Sequence, residues 1–168
     1  DLSGTMISDE GLAKLKSLIE PAAPGMMLHA GICKAFAESK AAVAGAPGVE
    51  TLAVSNVETS DGQGSPAVFT VSIEDFLKNE SLQKEMFGPA TLIVRGTVEE
   101  IEAAIPKLEG QLTASLHATD AELASSTSLV NALQQRAGRL IFNGWPTGVE
   151  VCNSIVHGGP FPATSDGR

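Results

Sequence analysis

The chain has no tyrosine, one tryptophan and two cysteines in 168 residues, and its 11 Lys and Arg are outnumbered by 20 Asp and Glu. Each shortage excludes something. With aromatics at 4%, most of the core has to come from Leu, Ile, Val and Ala. A formal charge of −9 disfavours nucleic acid and anionic membrane as partners, because phosphate binding needs clustered Lys and Arg. Cys33 and Cys152 stand far apart, with no Cys-x-x-Cys and no His pair nearby, so neither a disulfide framework nor a metal site is expected. A reduced, cytoplasmic setting is the expectation. The sequence shows no apolar run long enough to span a membrane and no charged-then-apolar leader. The abrupt ends, DLSGTM and PATSDGR, read as those of a fragment.

What is present is globular in character: 43% apolar and 18% charged residues, in a length that fits one domain. A chain of this size buries roughly 70% of its surface on folding, enough for a core without disulfides or metal.

The first half alternates helical and β-like segments. SDEGLAKLKSLIE predicts a helix capped at Ser8 or Asp9, with Leu12, Leu15, Leu18 and Ile19 on one face. PAAPG breaks it, and ICKAFAESKAAVAG predicts a second helix ending at Gly45, a C′ glycine. ETLAV and AVFTVS are β-like, separated by the polar loop ETSDGQGSP; SIEDFLKNESLQKEMFG predicts one or two short helices.

From residue 90 the pattern becomes regular. TLIVRG, QLTASLHA and RLIFN predict three strands, with a helix between each pair. Thr97 with Glu100, and Thr119 with Glu122, have capping-box spacing, and Pro106 predicts an early end to the first of these helices. The second helix is predicted to run through Leu123, Val130, Leu133 and Ala137 and to close at Gly138. Strand–helix–strand alternation with short connections predicts an α/β fold, a parallel sheet in a three-layer αβα arrangement. In such sheets ligands bind at loops leaving the carboxyl ends of strands, which directs attention to the loop after RLIFN and the turn before TLIVRG.

No complete catalytic set emerges from these residues. Cys152, with His157 five residues on, has the elements of a thiolate nucleophile, but a buried filler cysteine is the plainer reading. Cys33 falls inside a helix. His117 reads as a core or edge residue of a strand, and His29 as a surface residue near a helix start. No carboxylates are paired as a glycosidase acid and base would be, and VHGGP and FNGWPTG match neither a dinucleotide fingerprint nor a P-loop.

Two motifs carry a resemblance. QKEMFGPATLIV resembles the E-x-F-G-P segment of the aldehyde dehydrogenase superfamily. GRLIFNGWPTGVEVCNSIVHGGPFPATSD resembles the closing segment of its branch acting on α-ketoglutaric semialdehyde (2,5-dioxovalerate). The likeness covers essentially the whole chain. It implies that residues 1–168 are part of a catalytic domain, without the dinucleotide-binding domain and nucleophile segment. It also implies an NAD or NADP cofactor, a small aldehyde substrate and a homo-oligomeric parent. By the same resemblance Glu85 binds the nicotinamide ribose hydroxyls and Phe87 packs beside the nicotinamide; Phe161 lies near the aldehyde pocket, where PATS replaces the glycine-rich sequence common elsewhere. No residue here matches the family's nucleophilic Cys, base Glu or oxyanion-hole Asn, so the resemblance assigns no catalytic residue to this chain, and the isolated chain is expected to be inactive. A noncatalytic domain binding a small ligand or partner is the alternative.

Overall fold

The computed structural model describes residues 9–145 and 158–160, which cluster into two compact units, one built from Ile7–Thr97 and the other from Val98 onward.

The first unit is built on a three-stranded sheet. Helix α1 (Asp9–Ile19) begins with two acids, Asp9 and Glu10, and ends with Lys16 in its last turn, a charge order that complements the helix dipole. A two-residue strand β1 (Gly25–Met26) follows, then α2 (Ala30–Ala44), β2 (Glu50–Val54), the short β3 (Gln63–Gly64), β4 (Ala67–Ser72), α3 (Ile73–Lys78), a 3-10 turn (Glu80–Gln83) and β5 (Ala90–Arg95). β1 pairs antiparallel with β3; the main sheet has the order β2-β4-β5, antiparallel on one side of β4 and parallel on the other.

Central β4 explains itself from composition. AVFTVS is apolar without alternation, the pattern of a strand buried on both faces, and Ala67, Val68, Phe69, Thr70 and Val71 are all at most 4% exposed. Ala67, Phe69 and Val71 point into a cluster with Val43 of α2 and Leu82 of the 3-10 turn, with Phe76 of α3 packed against it. Alternation puts Val68 and Thr70 on the other face. Helix α1 packs against β2 and β4, and α2 and α3 also pack against β4.

The second unit contains α4 (Val98–Ala104), a 3-10 turn (Ile105–Lys107), β6 (Gln111–Leu116), α5 (Asp120–Ser125), α6 (Thr127–Gln134) and β7 (Ala137–Phe142), with β6 and β7 parallel. Pro106 ends α4 as expected, because it lacks an N–H and the chain tightens into the 3-10 turn around it. The capping box at α5 is complete: Glu122 N donates to Thr119 Oγ1 at 3.3 Å, and Thr119 N donates to Glu122 Oε2 at 2.7 Å.

Four expectations need correction. TLIVRG does not pair with QLTASL among the described residues; β5 takes β4 as its parallel partner, and β6 takes β7. The last helix is broken at Ser126, whose Oγ donates to Glu122 O at 2.6 Å and turns the chain between α5 and α6. Ala137 and Gly138 belong to β7 rather than to a helix end. Gly138 is required by packing, since a Cβ there would collide with the Gly158 carbonyl and lie 3.2 Å from Leu112 O. Finally, Gly45 caps α2 with φ −89°, a right-handed conformation open to any residue; the left-handed position is Gly48, at φ 78°.

No helix among the described residues is long and apolar enough to cross a membrane.

Candidate functional site

The site is assembled by the turn that enters β5 and by one face of α2. After the 3-10 turn the chain passes through Glu85, Met86 and Phe87 without regular secondary structure. Met86 turns inward and packs against the sheet core. Glu85 and Phe87 are exposed, Phe87 at 61%. The Gly88-Pro89 corner is fastened to the sheet: Ala90 N donates to Gly88 O at 2.8 Å, and Ala67 N at the start of β4 donates to Pro89 O at 3.0 Å.

Opposite this turn stands α2. His29 caps it, its Nδ1 accepting from Gly31 N at 3.1 Å and Ile32 N at 3.3 Å. Ile32, Ala35, Phe36 and Ser39 are spaced i, i+3, i+4 and i+7, a single helical face. With Glu85 and Phe87 they line a groove of about 360 Å³. The two residues singled out by the E-x-F-G-P resemblance thus share one concave surface. Its helical wall is apolar except for the Ser39 hydroxyl, and among the described residues Glu85 is its only ionisable side chain. Such a surface combines a carboxylate acceptor for hydroxyl hydrogens with a ring face and an aliphatic wall for a flat heterocycle. Sequence reasoning found Glu85 and Phe87 but not the α2 wall, whose only sequence signal is the helical spacing of Ile32, Phe36 and Ser39.

The groove does not lie where the general rule for open sheets places ligands. β4 and β5 start together, with Ala67 opposite Ala90, so the turn before β5 marks the amino ends of the parallel pair. The turn lies there because it leads into β5, and the bond from Ala67 N to Pro89 O holds it against the start of β4.

Other candidate residues fall elsewhere. Cys33 is half-buried in α2, with its Sγ donating to Gln63 O at 3.5 Å. His117 is not inside a strand: β6 ends at Leu116, and the exposed His117 ring lies 5.1 Å from that of Trp145 at a tilt of 47°. Beside them Asn143, at φ 49°, closes the carboxyl end of β7 onto the β6 exit: Ala118 N donates to its Oδ1 and its Nδ2 donates to Ala118 O, both at 2.9 Å. Cys152, His157 and Phe161 lie outside the described residues. Of the VHGGP stretch, Gly158 and Gly159 pack on the backbone of β7 and β6, and Pro160 packs against Gly110, so these glycines serve close backbone approach.

No protein-family model matches the chain. It is similar to two curated proteins named alpha-ketoglutaric semialdehyde dehydrogenase. One, numbered 2, from Azospirillum brasilense, is 41% identical over 143 residues, which is 84% of this chain and 27% of that protein. The other, from Acinetobacter baylyi, is 36% identical over 162 residues, 95% of this chain and 31% of that protein. The chain therefore spans less than a third of the length of these relatives. Among solved structures it is similar to the Delta-pyrroline-5-carboxylate dehydrogenase of Mycobacterium tuberculosis bound with NAD and cobalamin, with a TM-score of 0.68 and 22% identity over 91% of this chain and 29% of that one. Fold and sequence together relate the chain to the aldehyde dehydrogenase superfamily. Within it, the curated relatives are α-ketoglutaric semialdehyde dehydrogenases.

Proposed function

We propose that this chain is the nicotinamide-facing part of the catalytic domain of an NAD- or NADP-dependent dehydrogenase that oxidises a small acidic semialdehyde, α-ketoglutaric semialdehyde, to the acid. The observation that carries this reading is the meeting of Glu85 and Phe87 in one groove against α2. The residues present fit a nicotinamide ribose: an exposed carboxylate to accept sugar hydroxyl hydrogens, an exposed ring to lie beside the heterocycle, and an apolar wall to exclude water from one side. The cofactor, when bound, supplies the hydride acceptor. This chain's part is to hold and orient it. Phe161 is proposed to form a wall of the aldehyde pocket, and the parent is proposed to be a cytoplasmic homo-oligomer.

The reacting thiolate is proposed to lie in a part of the protein outside this chain. The environment of Cys33 supports this, since its thiol is half-buried in a helix and faces a backbone carbonyl, with no activating base or cation in contact among the described residues. The isolated chain is accordingly expected to show no turnover with NADP and α-ketoglutaric semialdehyde; turnover abolished by Cys152→Ser would overturn the reading. Titration of the ¹⁵N-labelled chain with β-nicotinamide mononucleotide is expected to move amide signals at 32–39 and 85–88. Glu85→Gln is expected to weaken that binding by about tenfold, the cost of a lost charge-assisted hydrogen bond. A folded chain whose signals do not move at millimolar ligand would count against the groove as a nicotinamide site.

A further inference from the structure

One groove residue differs from the rest. Phe36 lines the cavity yet is only 2% exposed, a core residue with one edge in the site. Its ring is held from several directions. A Cβ on Gly88 would lie within 2.7 Å of Phe36 Cε2 and Cγ, and nearer still to Cδ2, so the Gly88 backbone rests directly on the ring. A Cβ on Gly64 of β3 would lie 3.2 Å from Phe36 Cε1 and 3.2 Å from Pro89 Cδ. Lys40, one turn further along α2, places its Nζ 5.4 Å from the ring centroid, within cation–π range, while donating to Ser65 O at 3.2 Å. The ring therefore lies against Gly64 of β3 and Gly88 of the corner, with the Lys40 ammonium in cation–π range.

We propose that Phe36 is the positioning residue of this site: its ring is the platform on which the turn carrying Glu85 and Phe87 rests, setting how far those two side chains stand from the α2 wall. Gly88 meets the platform because any side chain there would lift the turn from it; a Cβ at Gly64 would meet Met27 Sδ first, at 2.7 Å, and the ring's edge second. That the height matters for a nicotinamide nucleotide rests on the function proposed above. That the ring sets the height does not.

The test separates the two. In the ¹⁵N-labelled chain, Phe36→Val removes the platform, and Phe36→Leu serves where the valine variant does not fold. With the far-UV circular dichroism of the wild type retained, amides 85–88 are expected to shift and to exchange about tenfold faster or more, as a locally opened segment does, while amides 68–71 of β4 hold their protection. Gly88→Ala is expected to lower the melting temperature of the wild type by more than twice what it lowers that of Phe36→Val, because the clash partner is gone in the second background. Affinity for β-nicotinamide mononucleotide is expected to fall by about tenfold or more in the folded Phe36 variant. A folded variant whose 85–88 amides neither shift nor exchange faster, or a Gly88→Ala effect equal in both backgrounds, would overturn the proposal even if the melting temperature dropped. A turn that loosens in a chain that never binds the mononucleotide would leave Phe36 as the platform and remove the nucleotide reading.

Discussion

At the scale of residues, the groove depends on side chains that lie outside it. His29 is one: its imidazole Nδ1 satisfies two backbone donors at the start of α2, and Ile32, which supplies one of those donors, is the first groove residue of the helix. Ser, Asn and Asp fill such cap positions more often, which is why His29 reads from sequence as an ordinary surface residue. Replacing it with Ala is expected to destabilise the chain by about 1 kcal/mol and to fray the first turn of α2, and His29→Asn to restore the loss. Equilibrium urea denaturation of the three proteins measures this. Glu85 and Phe87, by contrast, are exposed, and no packing reason accounts for an aromatic ring 61% open to solvent. They were legible through the E-x-F-G-P resemblance, since an exposed carboxylate at the end of a short helical turn is by itself ordinary.

At the scale of elements, what could be read from the sequence was what local chemistry dictates. The capping box of Thr119 and Glu122, the arrest at Pro106 and the doubly buried β4 each follow from a few adjacent side chains. Pairing of strands does not: TLIVRG and QLTASL look like neighbours in sequence, yet β5 finds β4, and nothing in either strand's pattern names its partner. The end of α6 was missed because Ala137 keeps helical spacing with Val130 and Leu133, while tertiary pairing with Gln111 places it in β7. The α5 cap also has a pH signature. The backbone N–H of Thr119, then its hydroxyl, hold the Glu122 carboxyl below its ordinary value. A carboxylate depressed in the folded state contributes stability that is present above its unfolded pKa and lost as pH falls through the folded one. Thermal stability is therefore expected to decline on acidification through the carboxylate range, and Glu122→Gln to flatten part of that decline in a pH series of melting curves.

At the scale of the whole molecule, the two units differ in how deeply they are buried. The unit of residues 7–97 surrounds β4 with strands on both edges, and Val68, Phe69 and Val71 are its most enclosed side chains. Among the described residues, the unit from Val98 onward has a two-stranded parallel ladder with α6 against β7, and Leu112 and Phe142 are exposed at 54% and 46%. A strand enclosed on both faces and paired on both edges protects its amides better than a two-stranded ladder with exposed apolar side chains. Hydrogen exchange is therefore expected to be slowest at 68–71 and at least about tenfold faster throughout β6 and β7, as amides of a less stable unit are. Equal protection in the two sheets would show that the chain opens as one cooperative body.

The Asn143-Gly144 pair has a chemical consequence of its own. An asparagine followed by glycine ages when the glycine nitrogen attacks the side-chain amide carbon and expels ammonia, forming a succinimide that water opens to an acidic residue. Here both ends of that amide are held by Ala118, and the backbone at Asn143 is fixed at φ 49°. Ageing at this bond is thus gated by release of the β7 exit from the β6 exit, and the slow appearance of a more acidic species on isoelectric focusing becomes a clock for how often that clasp opens.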